Sequence, residues 1–414
     1  MATSMKKRLL TQGCMAGMKK IGFITPSSNT ALEPITSLML EKLSDVVSVH
    51  IERLPVQTLT LDSHDVAQFQ ADKMTNAALL LKDAGVDIIL WNGTSGGWTG
   101  EGLQADREIC RRITAATGIA ASTTSLAQVE AFQCYGMTRY GLAVPYEPGP
   151  TEMMLKTYRA EGFEGVSHAM LSERVNTVIG ALPFERIRQL LLDADSPQAQ
   201  CLMVGCTNLP ATVLLDEIEA KLGKPVFDSI AVTLWKALRM SGIDRPIHGW
   251  GMLLRRHPVL ERLDALMESL REEVGTARTT IRLDVPRLNI GADDVYAESV
   301  AAGIPPLKLD SSLNQRALGT VQWLEKHRRC LIQADCVNAE TPPPKALMSV
   351  YGVTAQMLAP LVWNDEVMGW ISVHHIGGTR AWKESEIALL DAAASRAKEI
   401  LEAGGWAPAG AGVA

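Results

Sequence analysis

Short apolar runs that stop at small polar residues alternate with helix-period stretches along the first part of the chain. Lys20 to Thr25 is one such run, closed by Pro26, and Ser27-Ser28-Asn29-Thr30 leads from it into a helical pattern over Ala31 to Leu43. A second run covers Val46 to Leu54, and a long helical stretch follows from Asp65 to Ala84. Val86 to Trp91 reads as a third strand ending in Asn92-Gly93-Thr94-Ser95, followed by a helix over 102–116 and a short strand at Ile119 to Ala121. Strands that are apolar throughout and separated by helices predict parallel sheets covered on both faces.

The pattern then recurs. Tyr140 to Val144, closed by Pro145, repeats the first strand and its terminal proline. Cys201 to Val204 with Gly205-Cys206-Thr207-Asn208 repeats the strand that runs into Asn92-Gly93-Thr94-Ser95, and Leu222 to Ser229 echoes Thr117 to Ser122. Matched landmarks at offsets of roughly 105 to 120 residues imply a duplicated unit. The expected fold is α/β: two pseudo-twofold-related Rossmann-like lobes, one from 18–125 with 225–245 and the other from 126–224. Parallel sheets bind ligands beyond the carboxyl ends of their strands. The loops 26–30, 92–98, 145–151 and 205–209 should therefore surround one cleft between the lobes.

Residues 246–257 read as a linker to a smaller α+β unit over 258–404. It opens with an amphipathic helix (Val259, Leu260, Leu263, Leu266, Met267 and Leu270 at helical spacing). A strand at Thr279 to Leu283, a long irregular middle and a strand at Arg329 to Ile332 follow. Gln356 to Trp363 and Val367 to His374 form a hairpin across Asn364-Asp365-Glu366, and a helix over Lys383 to Leu401 closes the unit. His374 and His375 are adjacent and so face opposite sides of a strand, which argues against a shared metal. Residues 1–17 are expected to be a mobile leader and 405–414 a disordered tail.

Composition narrows the function. The chain has 414 residues, 47% hydrophobic and 21% charged, with a formal net charge of −6. Without a dense basic stripe, nucleic acid and anionic membranes are not expected partners, and no apolar run is long enough to span a bilayer. Seven cysteines are scattered without a CxxC pair, and histidines rarely sit near them. This argues for a reducing cytoplasm and against a disulfide framework or zinc site.

One of those cysteines stands out by position. The duplication places Cys206 opposite Gly93, each at the end of an inner strand. A cleft that moved protons on both faces of a carbon would need an acid–base group in both places, so one-sided chemistry is expected. Exchanging Gly93 for cysteine should then introduce racemisation.

The stretch from about 18 to 245 resembles the aspartate/glutamate racemase superfamily, in its maleate isomerase and arylmalonate decarboxylase branch. The residues that carry the likeness are Pro26-Ser27-Ser28-Asn29-Thr30, Gly93-Thr94-Ser95, Pro145-Tyr146, Asn176 within Val175 to Gly180, and Gly205-Cys206-Thr207. Racemases and maleate isomerases have a cysteine in both inner loops, whereas arylmalonate decarboxylase has Gly-Thr-Ser in the first. This chain follows the decarboxylase there while keeping the isomerase-like Asn29. The resemblance implies a cofactor-independent enzyme for a small carboxylate, with no metal. Decarboxylation through an enediolate, with Cys206 as proton donor, is the first expectation. Thr94, Ser95, Tyr146 and the backbone N–H of Thr207 would hold the enediolate oxygens, and losing one such donor costs about 3–4 kcal/mol of barrier. Asn29 and Asn176 would orient a second polar group, and Trp98 would supply an apolar wall.

The alternative is a cis–trans isomerase, or an amide or lactam hydrolase, with Cys206 as nucleophile. A third reading is a metabolite sensor, because residues from about 255 to 404 resemble a GAF domain in their opening helix, hairpin and closing helix. That unit is also the candidate surface for an expected homo-oligomer.

Overall fold

The apolar runs of the first part of the chain, together with a strand at Glu164–Met170 that the sequence reading does not include, form two four-stranded sheets, parallel throughout. β1 (Lys19–Pro26), β2 (Val47–Leu54), β3 (Ile88–Trp91) and β4 (Ala120–Thr123) stand in the order β2-β1-β3-β4. β5 (Arg139–Val144), β6 (Glu164–Met170), β7 (Cys201–Val204) and β8 (Val226–Asp228) stand in the order β6-β5-β7-β8. The second sheet repeats the strand order of the first, as the duplication predicts. Ile21, Phe23, Ile24, Leu90, Leu142, Val144, Leu202 and Val204 are fully buried, which is why these strands lack polar alternation. The computed structural model describes residues 17–56, 61, 71–99, 102–243, 245–255, 257–286, 290–308, 313–404 and 406. The leader lies outside them apart from Gly17, as do residues 65–70 of the expected second helix, whose described part is Ala71–Asp83.

Two boundaries differ from expectation. Residues 226–228, assigned above to the first lobe, form β8 and pair with β7 in the second sheet. Only the following helix, Ser229–Met240, crosses back, packing on the helix Thr124–Cys134 with Thr233 and Thr124 hydroxyls 2.7 Å apart. The crossing is reciprocal, since Phe132 of helix 124–134 stacks among Tyr140, Tyr158, Phe163 and Phe227 of the second lobe. The expected linker is also no free connector over 246–255. The N–H of Gly251 donates to Asp216 Oδ1 (2.9 Å) and that of Met252 to Glu219 Oε2 (2.6 Å), with Ile247, Leu253 and Leu254 buried. Burial of these apolar residues and pairing of their backbone tie the segment to the first unit, which ends at Arg255.

The second unit is built on one antiparallel sheet. β9 (Arg278–Leu283), β10 (Val295–Val300), β11 (Leu331–Gln333), β12 (Val353–Trp363) and β13 (Glu366–Ile376) stand in the order β10-β9-β13-β12-β11. The irregular middle hides β10 and the helices Gly319–His327 and Lys345–Ser349. The β12–β13 hairpin turns at Asn364 and Asp365, both with positive φ (49° and 64°). These are the residue types a two-residue turn of that hand tolerates. One face of the sheet (Ile281, Leu283, Met357, Leu361, Ile371 and Val373) packs in one core with Pro258–Val274 and Glu384–Ala403. Trp406, placed in the expected disordered tail, is buried and stacks on His257 at 4.8 Å.

Candidate active site

The four strand-end loops do converge. A cleft enclosing about 280 Å³, its mouth included, is lined by Gly93, Thr94, Ser95, Trp98, Tyr146, Asn176, Cys206 and Thr207, all expected from the sequence. Pro26, Trp91 and Asn208 complete the lining. Cys206 stands past the end of β7, after Gly205, and is 2% exposed. The N–H of Asn208 donates to its Sγ at 3.4 Å, and the Tyr146 hydroxyl also reaches the sulfur. Tyr146 Oη lies 3.1 Å from Thr94 Oγ1, with the Trp98 ring tilted against the phenol at 5.9 Å. Thr94 precedes the short helix Ser95–Trp98 without using its hydroxyl as a cap, so that hydroxyl stays with the phenol.

Asn29 is the expected site residue that does not line the cleft. Its Nδ2 donates to the Thr207 carbonyl (3.0 Å) and to Thr207 Oγ1 (3.3 Å), while its Oδ1 accepts from the N–H groups of Ala31 and Leu32. All its polar capacity is committed to joining the first loop to the fourth. Asn208 does the reciprocal work. Its Oδ1 accepts from the N–H of Thr30 (2.8 Å) and Ala31 (3.0 Å), and its Nδ2 donates to the Asn176 carbonyl (2.6 Å). Asn176 Nδ2 in turn donates to Ser28 Oγ (2.9 Å). Asn208 stands in the duplicate position of Ser95, which is the sequence signal that would have singled it out.

The face opposite Cys206 is closed by Trp91. Its indole lies against Gly93, where a Cβ would stand only 2.4 Å from Cζ2, and its Nε1 donates to Ser95 Oγ at 3.1 Å. A side chain at 93 therefore makes the indole shift, and Val204 is the far smaller counterpart of Trp91 in β7. The cysteine expected at 93 to introduce racemisation would therefore have to displace the indole.

Burial pushes the Cys206 thiol up from its ordinary value, and Asp228 adds to the rise. The Tyr146 hydroxyl and the N–H groups of Asn208 and Leu209 act the other way. Burial likewise holds the Tyr146 phenol well above its usual range. The cleft therefore presents a neutral thiol and a neutral phenol at neutral pH. Beneath it, burial raises Asp106 to about 7 and Asp228 to about 6. Among the described residues, no three His, Cys, Asp or Glu side chains converge as a metal set.

Two duplicated parallel α/β lobes around a strand-end cysteine define a class: two-lobed enzymes that work at a carbon held between facing loops. The family model for arylmalonate decarboxylase matches residues 21–254, and a GAF domain model matches 258–400. The chain belongs to the arylmalonate decarboxylase family, fused to a GAF domain, and is a cofactor-independent, cysteine-using isomerase or lyase. The maleate isomerase of Nocardia farcinica is 23% identical over 246 residues, covering 58% of this chain and 97% of the relative. A cysteine-to-serine variant of that isomerase, solved with a covalently bound succinylcysteine intermediate, superposes with a TM-score of 0.53 at 23% identity, over 58% and 99% of the two chains. A liganded arylmalonate decarboxylase variant with glycine exchanged for cysteine and cysteine for serine gives 0.52 at 19% identity, over 57% and 99%. No helix among the described residues is long and apolar enough to cross a membrane.

Proposed function

We propose that the first unit decarboxylates a small malonate-type diacid and protonates the product on one face through Cys206. The observation that carries this reading is the pairing of a buried neutral thiol with a facing glycine whose side-chain space is filled by the Trp91 indole. The bond from the substrate's central carbon to one carboxylate breaks, CO2 leaves, and the electron pair passes into the remaining carboxylate as an enediolate. Thr94 and Tyr146, with Ser95 and the N–H of Thr207, would stabilise its two oxygens. The S–H proton moves to the central carbon, and the thiolate is reprotonated from water. Asn29, Asn176 and Asn208 hold the loops in register and so position these groups. Trp98 and Trp91 supply apolar surface that keeps the enediolate away from bulk water.

A second reading has its own support. The curated relatives are maleate isomerases, which favours cis–trans isomerisation with Cys206 as nucleophile. The sulfur would add to one alkene carbon, the resulting single bond would rotate, and elimination of the sulfur would give the trans diacid. The relatives weigh for this reading, and the residues weigh against it. Burial disfavours the thiolate that an attack needs. In the Nocardia enzyme the succinylcysteine persists when one cysteine is replaced by serine, so a second cysteine is at hand there, whereas the facing loop here has Gly93.

Proton NMR of the full chain with substituted malonates and with maleate separates the two. Monocarboxylate formation from a malonate, lost in Cys206→Ala, supports decarboxylation. Fumarate formed from maleate while malonates stay untouched would replace it with the isomerase reading.

A further inference from the structure

The second unit contains a feature that the chemistry of the first does not use. An antiparallel sheet with one face packed on helices ordinarily turns its polar face to water. Here the other face is polar and yet buried. The register puts Arg278, Thr280 and Arg282 of β9 beside His374, Ser372 and Trp370 of β13, with Gln356 of β12 next to His374. All seven are buried. Glu298 of β10 joins this face and pairs with Arg278 at 3.4 Å.

The segment between β10 and β12 roofs this floor with apolar groups. Leu307, Leu318, Val321, Leu347 and Tyr351 stand over Arg282, Ser372 and His374, leaving a cavity of about 620 Å³, its mouth included. That volume lies within the range of small-molecule sites, about 300–1,000 Å³. His374 is 3% exposed and its Nδ1 has no hydrogen-bond partner. A buried polar atom left unpaired costs roughly 1–3 kcal/mol. It is tolerated here on the wall of a cavity, where a ligand can pair it.

The field at that position is positive. Burial first, with the Arg278 and Arg282 guanidinium groups acting the same way, lowers the His374 imidazole to about 3. A neutral ring donating one N–H, a serine hydroxyl and an arginine at one end of an apolar chamber match a carboxylate with a hydrocarbon body.

We propose that the second unit binds a small organic carboxylate in this cavity, its oxygens on Arg282, Ser372 and His374 and its apolar body against Leu318, Val321, Leu347 and Trp370. This site lies within the GAF domain, separate from the Cys206 cleft, and does not depend on which reaction that cleft performs.

Calorimetric titration of the full chain with benzoate and with hexanoate, against benzamide and hexanamide, tests it. At least one acid is expected to bind, with its amide weaker by about tenfold or more, the loss for one charge-assisted hydrogen bond. His374→Phe keeps the ring volume and should weaken acid binding by a similar factor. Leu347→Trp, at a half-buried roof position, should abolish it by filling the chamber. Absence of binding by both acids at millimolar concentration, or equal binding of acid and amide, would overturn the proposal. So would binding that persists unchanged in both variants, as it would for an acid seated in the Cys206 cleft.

Discussion

Adding one carbon at Gly93 tests whether the Trp91 indole closes the face opposite Cys206. A Cβ at 93 would stand 2.4 Å from Cζ2 and 2.6 Å from Cε2 of Trp91, about an ångström inside ordinary carbon contact of roughly 3.5 Å. Trp91 is fully buried, so the ring cannot yield without moving its neighbours. Overpacking costs about 1–3 kcal/mol, and displacing the indole from Ser95 Oγ adds about 1 kcal/mol. Gly93→Ala is therefore expected to lose about 2–4 kcal/mol, a large share of the roughly 5–15 kcal/mol that holds a domain together. Trp91→Val copies Val204, its counterpart in β7, and is expected to cost about 3–5 kcal/mol through the cavity it leaves. In the double variant the new carbon has room. Its loss should fall short of the sum of the single losses by about 1–3 kcal/mol. Urea titrations of the four proteins, followed by far-UV circular dichroism, give the cycle. If Gly93→Ala costs less than about half a kcal/mol and the cycle is additive, the indole does not fill that space and the one-sided account fails.

Three further outcomes follow from the same geometry. Gly93→Cys alone should give no racemisation of a chiral monocarboxylic product, whereas Trp91→Val with Gly93→Cys should, as read by chiral chromatography. Asn208→Ala leaves the Thr30 and Ala31 N–H groups and the Asn176 carbonyl without its amide. It should cost about 3 kcal/mol in urea and raise KM more than it lowers kcat. Asp106 keeps its proton to about pH 7 in the folded chain against 3.8 unfolded. Its stabilising contribution is full below pH 3.8 and is lost as pH rises through 7, so Asp106→Asn should gain on wild type by roughly 4 kcal/mol over that window. Parallel stability curves for the two would contradict the burial of that carboxyl.

Most of what places the site was legible because a parallel α/β unit writes its layout locally. The inner strands β1, β3, β5 and β7 each carry an apolar run, and each stops at the proline or small polar residues that form the cleft loop. The duplication itself pairs Gly93 with Cys206. The pattern does not encode partnership across the molecule. Asn29 looked like a ligand-facing amide because it sits in a cleft loop, yet its hydrogen bonds join that loop to Thr207. Trp91 reads as one more apolar strand residue, and only its side-chain direction reveals that it crowds the position two residues later. β8 is three residues long and adjoins a helix that crosses back, so its lobe could not be read from chain order. In the second unit, Glu298 interrupts the apolar run of β10 (Val295–Val300), which leaves no strand pattern legible there. That polar residue points at the buried face where the proposed carboxylate site lies.

The most direct test of the central claim is the deuterium count and handedness of the product formed in D2O from a prochiral disubstituted malonate. The account predicts one deuterium at the central carbon, a single enantiomer, and no product from the Cys206→Ala variant. A racemic product, or unchanged turnover without the thiol, would show that Cys206 does not deliver the proton.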